Sequence, residues 1–133
     1  MKVYVFGNKD TLFDSKASEV ANILKEKVKN VEFIEVGLNE DLPFSENENV
    51  VILDTVDGIT GVEVFHSEDL EKFSLSPKST VHDFDLGFQL KYLKKIGKLG
   101  EITIIGLPMG KEPDYFLVQS ILRKLVAQDM QGS

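Results

Sequence analysis

A chain of 133 residues, 42% hydrophobic and 28% charged, is one foldable domain and not a disordered segment. Its formal net charge of −7, from 22 acidic against 15 basic residues, argues against nucleic acid and anionic membranes as partners, because nothing supplies a phosphate-neutralising surface. The absence of cysteine removes disulfides, thiolate metal sites and cysteine nucleophiles, and no apolar run approaches the ~20 residues of a membrane span. The opening Met1 to Gly7 reads as a buried strand and not as a signal peptide, so the expectation is a cytoplasmic protein.

Lys2 to Phe6 is a β-rich run ended by the turn signal Gly7-Asn8. Asp14-Ser15 offers a helix N-cap, and Ala17, Val20, Ala21, Leu24 and Val28 then fall on one helical stripe. Val31 to Val36 is a second strand, closed by Gly37, and residues 38 to 49 are polar and turn-rich. Val50 to Leu53 is an unbroken apolar run of the kind found in a parallel strand covered on both faces, and it is expected to stop at Asp54. Gly58 and Gly61 mark a turn before a short edge strand, Val62 to Phe65. Residues 67 to 80 read as a loop. A helix is expected from Thr80 to His82 onward, with Leu86, Phe88, Leu90, Tyr92, Leu93 and Ile96 inward and Gly97 and Gly100 ending it. Ile102 to Ile105 is another buried strand, ending at Gly106. Pro113 opens a last helix whose inward face is expected to hold Phe116, Leu117, Ser120, Ile121, Leu125 and Val126.

Alternating strands and helices with apolar strands predict an α/β fold: three layers, doubly wound, with a mostly parallel twisted sheet of about five strands flanked by helices. One domain spans residues 1–131, and Gly132-Ser133 are set aside as a tail.

In such sheets the ligand crevice lies beyond the C-terminal ends of the strands. Strand 1 runs out toward Asp10 and Asp14, strand 3 into Asp54 and Asp57, and a later helix start carries His82 with Asp83 and Asp85. Two carboxylates and one imidazole form a workable open site for zinc, nickel, iron or manganese. Each residue also has a plain structural role open to it. Asp14 could be an N-cap, Asp54 a solvated strand end, and His82 a helix cap. His66, beside Glu68 and Asp69 on an edge strand, reads as a surface residue. No GxGxxG, GxxxxGK[ST] or GxSxG pattern is present.

Two family resemblances bear on these residues. Val50 to Asp54, with Gly58 and Gly61 behind, resembles the phospho-accepting strand of response-regulator receiver domains. The acidic pair after strand 1 and the lysine ending strand 5 that such domains need are missing, since Phe6-Gly7-Asn8 and Gly106-Leu107-Pro108 stand there. The second resemblance covers nearly the whole chain. A strand followed by Gly7-Asn8 and then Asp14, an apolar strand ending in Asp54, Ser79-Thr80-Val81-His82 followed by Leu86, Leu90 and Leu93, and the strand Ile102 to Gly106 are together similar to the hydrogenase maturation endopeptidases. Those enzymes trim a C-terminal peptide from the large-subunit precursor of nickel–iron hydrogenases. The resemblance implies that Asp14, Asp54 and His82 are the metal ligands and catalytic residues. It also implies nickel as the metal, delivered by the loaded precursor, with zinc or another divalent cation able to substitute. Asp10, Asp57 and Asp85 are outer candidates. The implied partner is the hydrogenase large-subunit precursor, with no nucleic acid, no membrane insertion and a monomeric state. A catalytically silent relative that binds a metal centre or hydrogenase subunit stays open as the alternative. The chain departs from the family pattern at Phe13-Asp14-Ser15, where one carboxylate stands in place of two acids and a glycine, and at Glu35-Val36-Gly37-Leu38, which keeps part of an Asp-Gly-Gly loop.

Overall fold

The computed structural model describes residues 1–6, 16–36, 44, 48–56, 58–71 and 92–131. Five strands form one sheet: β1 (Lys2–Phe6), β2 (Glu32–Val36), β3 (Val50–Val56), β4 (Glu63–His66) and β5 (Ile102–Pro108). Their spatial order is β2-β1-β3-β5-β4. All neighbours are parallel except β4, which runs antiparallel to β5. The predicted α/β architecture is therefore the observed one. The edge strand falls one residue later than expected, and a 3-10 turn at Ser67–Glu71 begins the segment read as a loop.

Two helices, α1 (Lys16–Leu24) and α2 (Tyr115–Gln131), cover one face of the sheet. Alternation along each strand sends Val3, Val5, Leu53, Ile105 and Leu107 to that face. There they meet Ala17, Val20, Ala21 and Leu24 of α1 and Val118 and Leu122 of α2. The opposite face carries Tyr4, Phe6, Ile52 and Ile104, with Phe65 of β4 beside them, and packs with Leu99, Phe44 and Leu93. Burying each such aliphatic side chain is worth about 1.5–3 kcal/mol. Central strands buried on both faces need unbroken apolar sequence, which is what Val50 to Leu53 supplies.

α1 keeps its predicted stripe. Past Leu24 the chain makes further turns, with the Val28 amide on the Leu24 carbonyl, until Asn30 closes it at a φ of 66°. Residues 92–95 are helical and end in a Schellman motif. The Gly97 amide donates to the Lys94 carbonyl and the Lys98 amide to the Leu93 carbonyl, with Gly97 at a φ of 76°. The glycine stop is as expected, but Tyr92 and Ile96 are exposed and not core. Leu86, Phe88 and Leu90 lie outside the described residues.

α2 corrects the sequence reading by its rotation. Asp114 is the N-cap, its carboxylate accepting the Leu117 amide at 3.1 Å. With that start, Val118, Leu122 and Val126 are buried, and Tyr115, Ile121 and Leu125 are partly so. Phe116, Leu117 and Ser120 face outward. Two overlapping apolar stripes run through this segment, and the core takes the one containing Val118.

Candidate functional site at the C-terminal edge of the sheet

β1 pairs with β2 on one side and β3 on the other, so the winding direction reverses between β1 and β3. The ligand crevice of an open α/β sheet forms at such a switch point, beyond the strand carboxyl ends. The last residue of β1, Phe6, is in register with Asp54 of β3, and Asp54 is in register with Gly106 of β5. Asp54 therefore stands at the switch point itself.

The sequence reading ended β3 at Asp54 and β5 at Gly106. Both strands run two residues further, because Thr55 pairs with Leu107 and Val56 with Pro108. Pro108 has no amide to donate, and it lies past the last β4 pairing, at Gly106. Asp54 is thus no solvated strand end; it is 3% exposed. Its Oδ1 accepts the Thr55 amide at 2.8 Å, which orients the carboxylate as outer partners orient metal ligands.

Gly106 explains how a strand end stays so tight beside this acid. A Cβ there would lie 2.9 Å from Val56 Cγ2, 3.0 Å from Phe65 Cε2 and 3.3 Å from Ile59 Cδ1. The close approach of Phe65 across the strand requires the missing side chain.

Thr55 points to the other face, where it is 3% exposed and its Oγ1 finds no hydrogen-bond partner among the described residues. A buried hydroxyl left unpaired costs about 1–3 kcal/mol. Beside the start of α1, Lys16 Nζ meets Glu112 Oε1 at 3.0 Å and Glu19 Oε2 at 3.3 Å, and Tyr115 OH donates to Glu112 Oε2 at 3.2 Å. Hydrogen bonding to Lys16 holds the Glu112 carboxyl below its usual range, and Glu112 in turn raises Lys16. Burial and the Glu112 charge push the Tyr115 phenol up. No local pattern signals either Thr55 or this network, because both depend on contacts between distant segments.

Of the three candidate site residues, Asp54 is placed at the predicted edge. Asp14 and His82 lie outside the described residues, as do Asp10, Asp57, Asp83 and Asp85. His66 is exposed on β4, as expected, and its amide donates to Asp69 Oδ2 at 2.9 Å. Among the described residues no group of three His, Cys, Asp or Glu could hold a metal. As a single donor Asp54 fits a divalent cation in kind, being a hard anionic oxygen ligand held in place by a backbone amide. The buried setting of Asp54 and the lack of lysine at the end of β5 fit poorly with a phospho-receiver. A depression of about 490 Å³ lies at the opposite edge, near Lys2, Glu48, Glu101 and Asp129, away from Asp54.

These features define a doubly wound α/β domain with a buried acid at its switch point. The same fold is found in hydrogenase maturation proteases. The hydrogenase maturating endopeptidase HybD of Escherichia coli superposes at a TM-score of 0.60 with 14% identity, over 99% of this chain and 93% of that one. The nickel–iron hydrogenase maturation protease HybD of Thermococcus kodakarensis gives 0.56 and 21%, over 95% and 99%. The hydrogenase 2 maturation peptidase of a Thaumarchaeota archaeon gives 0.51 and 21%, over 97% of each chain. No family model matches the sequence, and no curated protein matches it. At these identities the likeness is one of fold.

Proposed function

We propose that the protein is a metal-dependent endopeptidase that removes the C-terminal peptide of a nickel-loaded nickel–iron hydrogenase large-subunit precursor. The observation that carries this reading is Asp54. It is a carboxylate 3% exposed, braced by the Thr55 amide, at the switch point of a fold shared with such proteases over nearly the whole chain. Asp14 and His82 complete the ligand set by the resemblance of their motifs. A cation held there supplies Lewis-acid polarisation of a peptide carbonyl. Asp54 contributes fixed negative charge in a site screened from water, where its pull on a cation is stronger than at the surface. Nickel arrives as part of the substrate, so the enzyme acts only on a completed precursor. A cytoplasmic, monomeric protein suits that task; among the described residues no helix is long and apolar enough to cross a membrane.

The test is cleavage of nickel-loaded precursor, read by intact-mass spectrometry, with wild type and Asp54→Asn. Wild type should shorten the precursor. Asp54→Asn should lose about a hundred- to a thousandfold in rate, the scale seen when a key electrostatic group is removed. Wild type that leaves every loaded precursor intact points to the silent relative instead. Full activity in Asp54→Asn removes Asp54 from the site.

A further inference from the structure

We propose that Ile59 and Phe65, seated over Gly106, wall Asp54 off from water on its β5 side and act as positioning residues for the chemistry at that carboxylate; this rests on the peptidase reading above. Register places Val36, Phe6, Asp54, Gly106 and Glu63 in one row across all five strands. Members of such a row share one face of the sheet. Val36 and Phe6 are buried, Asp54 is 3% exposed, and Glu63 is exposed. The boundary between interior and solvent therefore falls at Gly106, the one member with no side chain to form it.

Left open, that gap would admit water to Asp54 from the β4 side. It is filled from three segments. Val56 Cγ2, Phe65 Cε2 and Ile59 Cδ1 lie 2.9, 3.0 and 3.3 Å from where a Gly106 Cβ would stand. Val56 belongs to the same strand as Asp54, whereas Phe65 comes from β4 and Ile59 from the turn after β3. All three atoms are carbon, so they give a water molecule none of the polar partners it needs to settle there. The row behind consists of Tyr4, Ile52, Ile104 and Phe65 and closes the slot with rings and aliphatic chains. On its own row Asp54 thus has Phe6 on one side and this apolar plug on the other. A carboxylate kept dry attracts a cation more strongly than a wetted one. Held in one orientation, it also needs no rearrangement as charge develops in the reaction.

Ile59→Ala opens the wall with the least damage, because Ile59 is half-buried in a turn whereas Phe65 also packs in the core. The first readout is amide hydrogen exchange by NMR. The Thr55 amide, bonded to Asp54 Oδ1 at 2.8 Å, reports water reaching the carboxylate. Ile59→Ala should raise its exchange rate about tenfold while the Ile52 and Ile104 amides keep theirs. Ile59→Leu should keep the Thr55 amide protected. The second readout is cleavage of nickel-loaded precursor, where Ile59→Ala should lower kcat about tenfold at unchanged KM. Ile59→Val deletes Cδ1 alone and should move both readouts the same way by about threefold; it decides the matter if the alanine variant does not fold. Exchange that rises equally at Thr55, Ile52 and Ile104 overturns the proposal, since Ile59 is then only structural. Unchanged exchange at Thr55, or unchanged kcat in an active protein, overturns it too. If wild type cleaves no precursor, the peptidase reading fails, and the exchange arm alone decides the wall: a rise confined to Thr55 upholds it, and its absence overturns it.

Discussion

At the N-terminal edge of the sheet, buried polar groups find partners, whereas at the C-terminal edge one, the Thr55 hydroxyl, finds none among the described residues. Tyr4, 2% exposed, donates its hydroxyl to Glu48 Oε2 at 2.6 Å and stands edge-on to Phe44, with ring centroids 4.8 Å apart. The Glu101 amide donates to Asn49 Oδ1, the Ile102 amide to Ser67 Oγ, and the Val50 amide to the Glu101 carbonyl. Each bond ties a strand start to a neighbouring segment. At the other edge the fold keeps a buried carboxylate, a buried hydroxyl without a described partner and an exposed phenyl ring. Such features cost stability, and they collect where an α/β sheet binds its ligands. One edge holds the molecule together; the other is arranged for something outside it.

Breaking the N-terminal edge should have the largest effect on stability. Tyr4→Phe removes one hydrogen bond to a carboxylate and should cost about 2 kcal/mol in urea unfolding, with the denaturant slope unchanged. Burial and the Glu48 carboxylate push the Tyr4 phenol well above its ordinary value, so ionisation should not break this contact below pH 10. If Tyr4→Phe is as stable as wild type, the stitching at this edge is decorative.

Thr55→Val should move stability the other way, by about 1 kcal/mol or more, because it replaces a buried hydroxyl that finds no partner among the described residues with a methyl group. A rise in Tm with that variant sharpens the contrast between the edges. A fall means that Thr55 has a partner that the described residues do not supply.

The smallest effect belongs to Lys16 and Glu112, since exposed pairs contribute little. Its pH dependence is the informative part. The Glu112 carboxyl is held low, so its contribution is present above about pH 4.3 and fades as pH falls through the lowered value. The Lys16 ammonium is held high, so its contribution is present below about pH 10.4 and fades as pH rises through the raised value. The Tm difference between wild type and Glu112→Gln should therefore be small and flat from about pH 5 to 10 and vanish outside that window. A difference that peaks inside the window would assign it to another group.

Much of the architecture was legible in the sequence, because period and run length report burial directly. Val50 to Leu53 could only be a covered strand, and the Ala17 to Val28 stripe could only be one face of a helix. Strand ends were harder. Asp54 and Gly106 look like terminators, yet the β3–β5 pairing carries both strands two residues past them. α2 was harder still, since Phe116 and Leu117 are as apolar as Val118 and only the Asp114 cap sets the rotation. Asp54 was legible as the end of an apolar run on the functional edge. Thr55 was not, because whether its hydroxyl is paired depends on tertiary contacts that no local pattern encodes.

Gly106 also acts as a register key for the antiparallel strand. Phe65 lies opposite Ile104 and leans toward Gly106, within 3.0 Å of where a Cβ would stand. A two-residue slip of β4 that set Phe65 opposite Ile102 would keep every side chain on its own face, yet it would move the ring away from the one β5 position without a side chain to obstruct it. The missing methyl group thus disfavours an alignment of β4 that alternation alone allows.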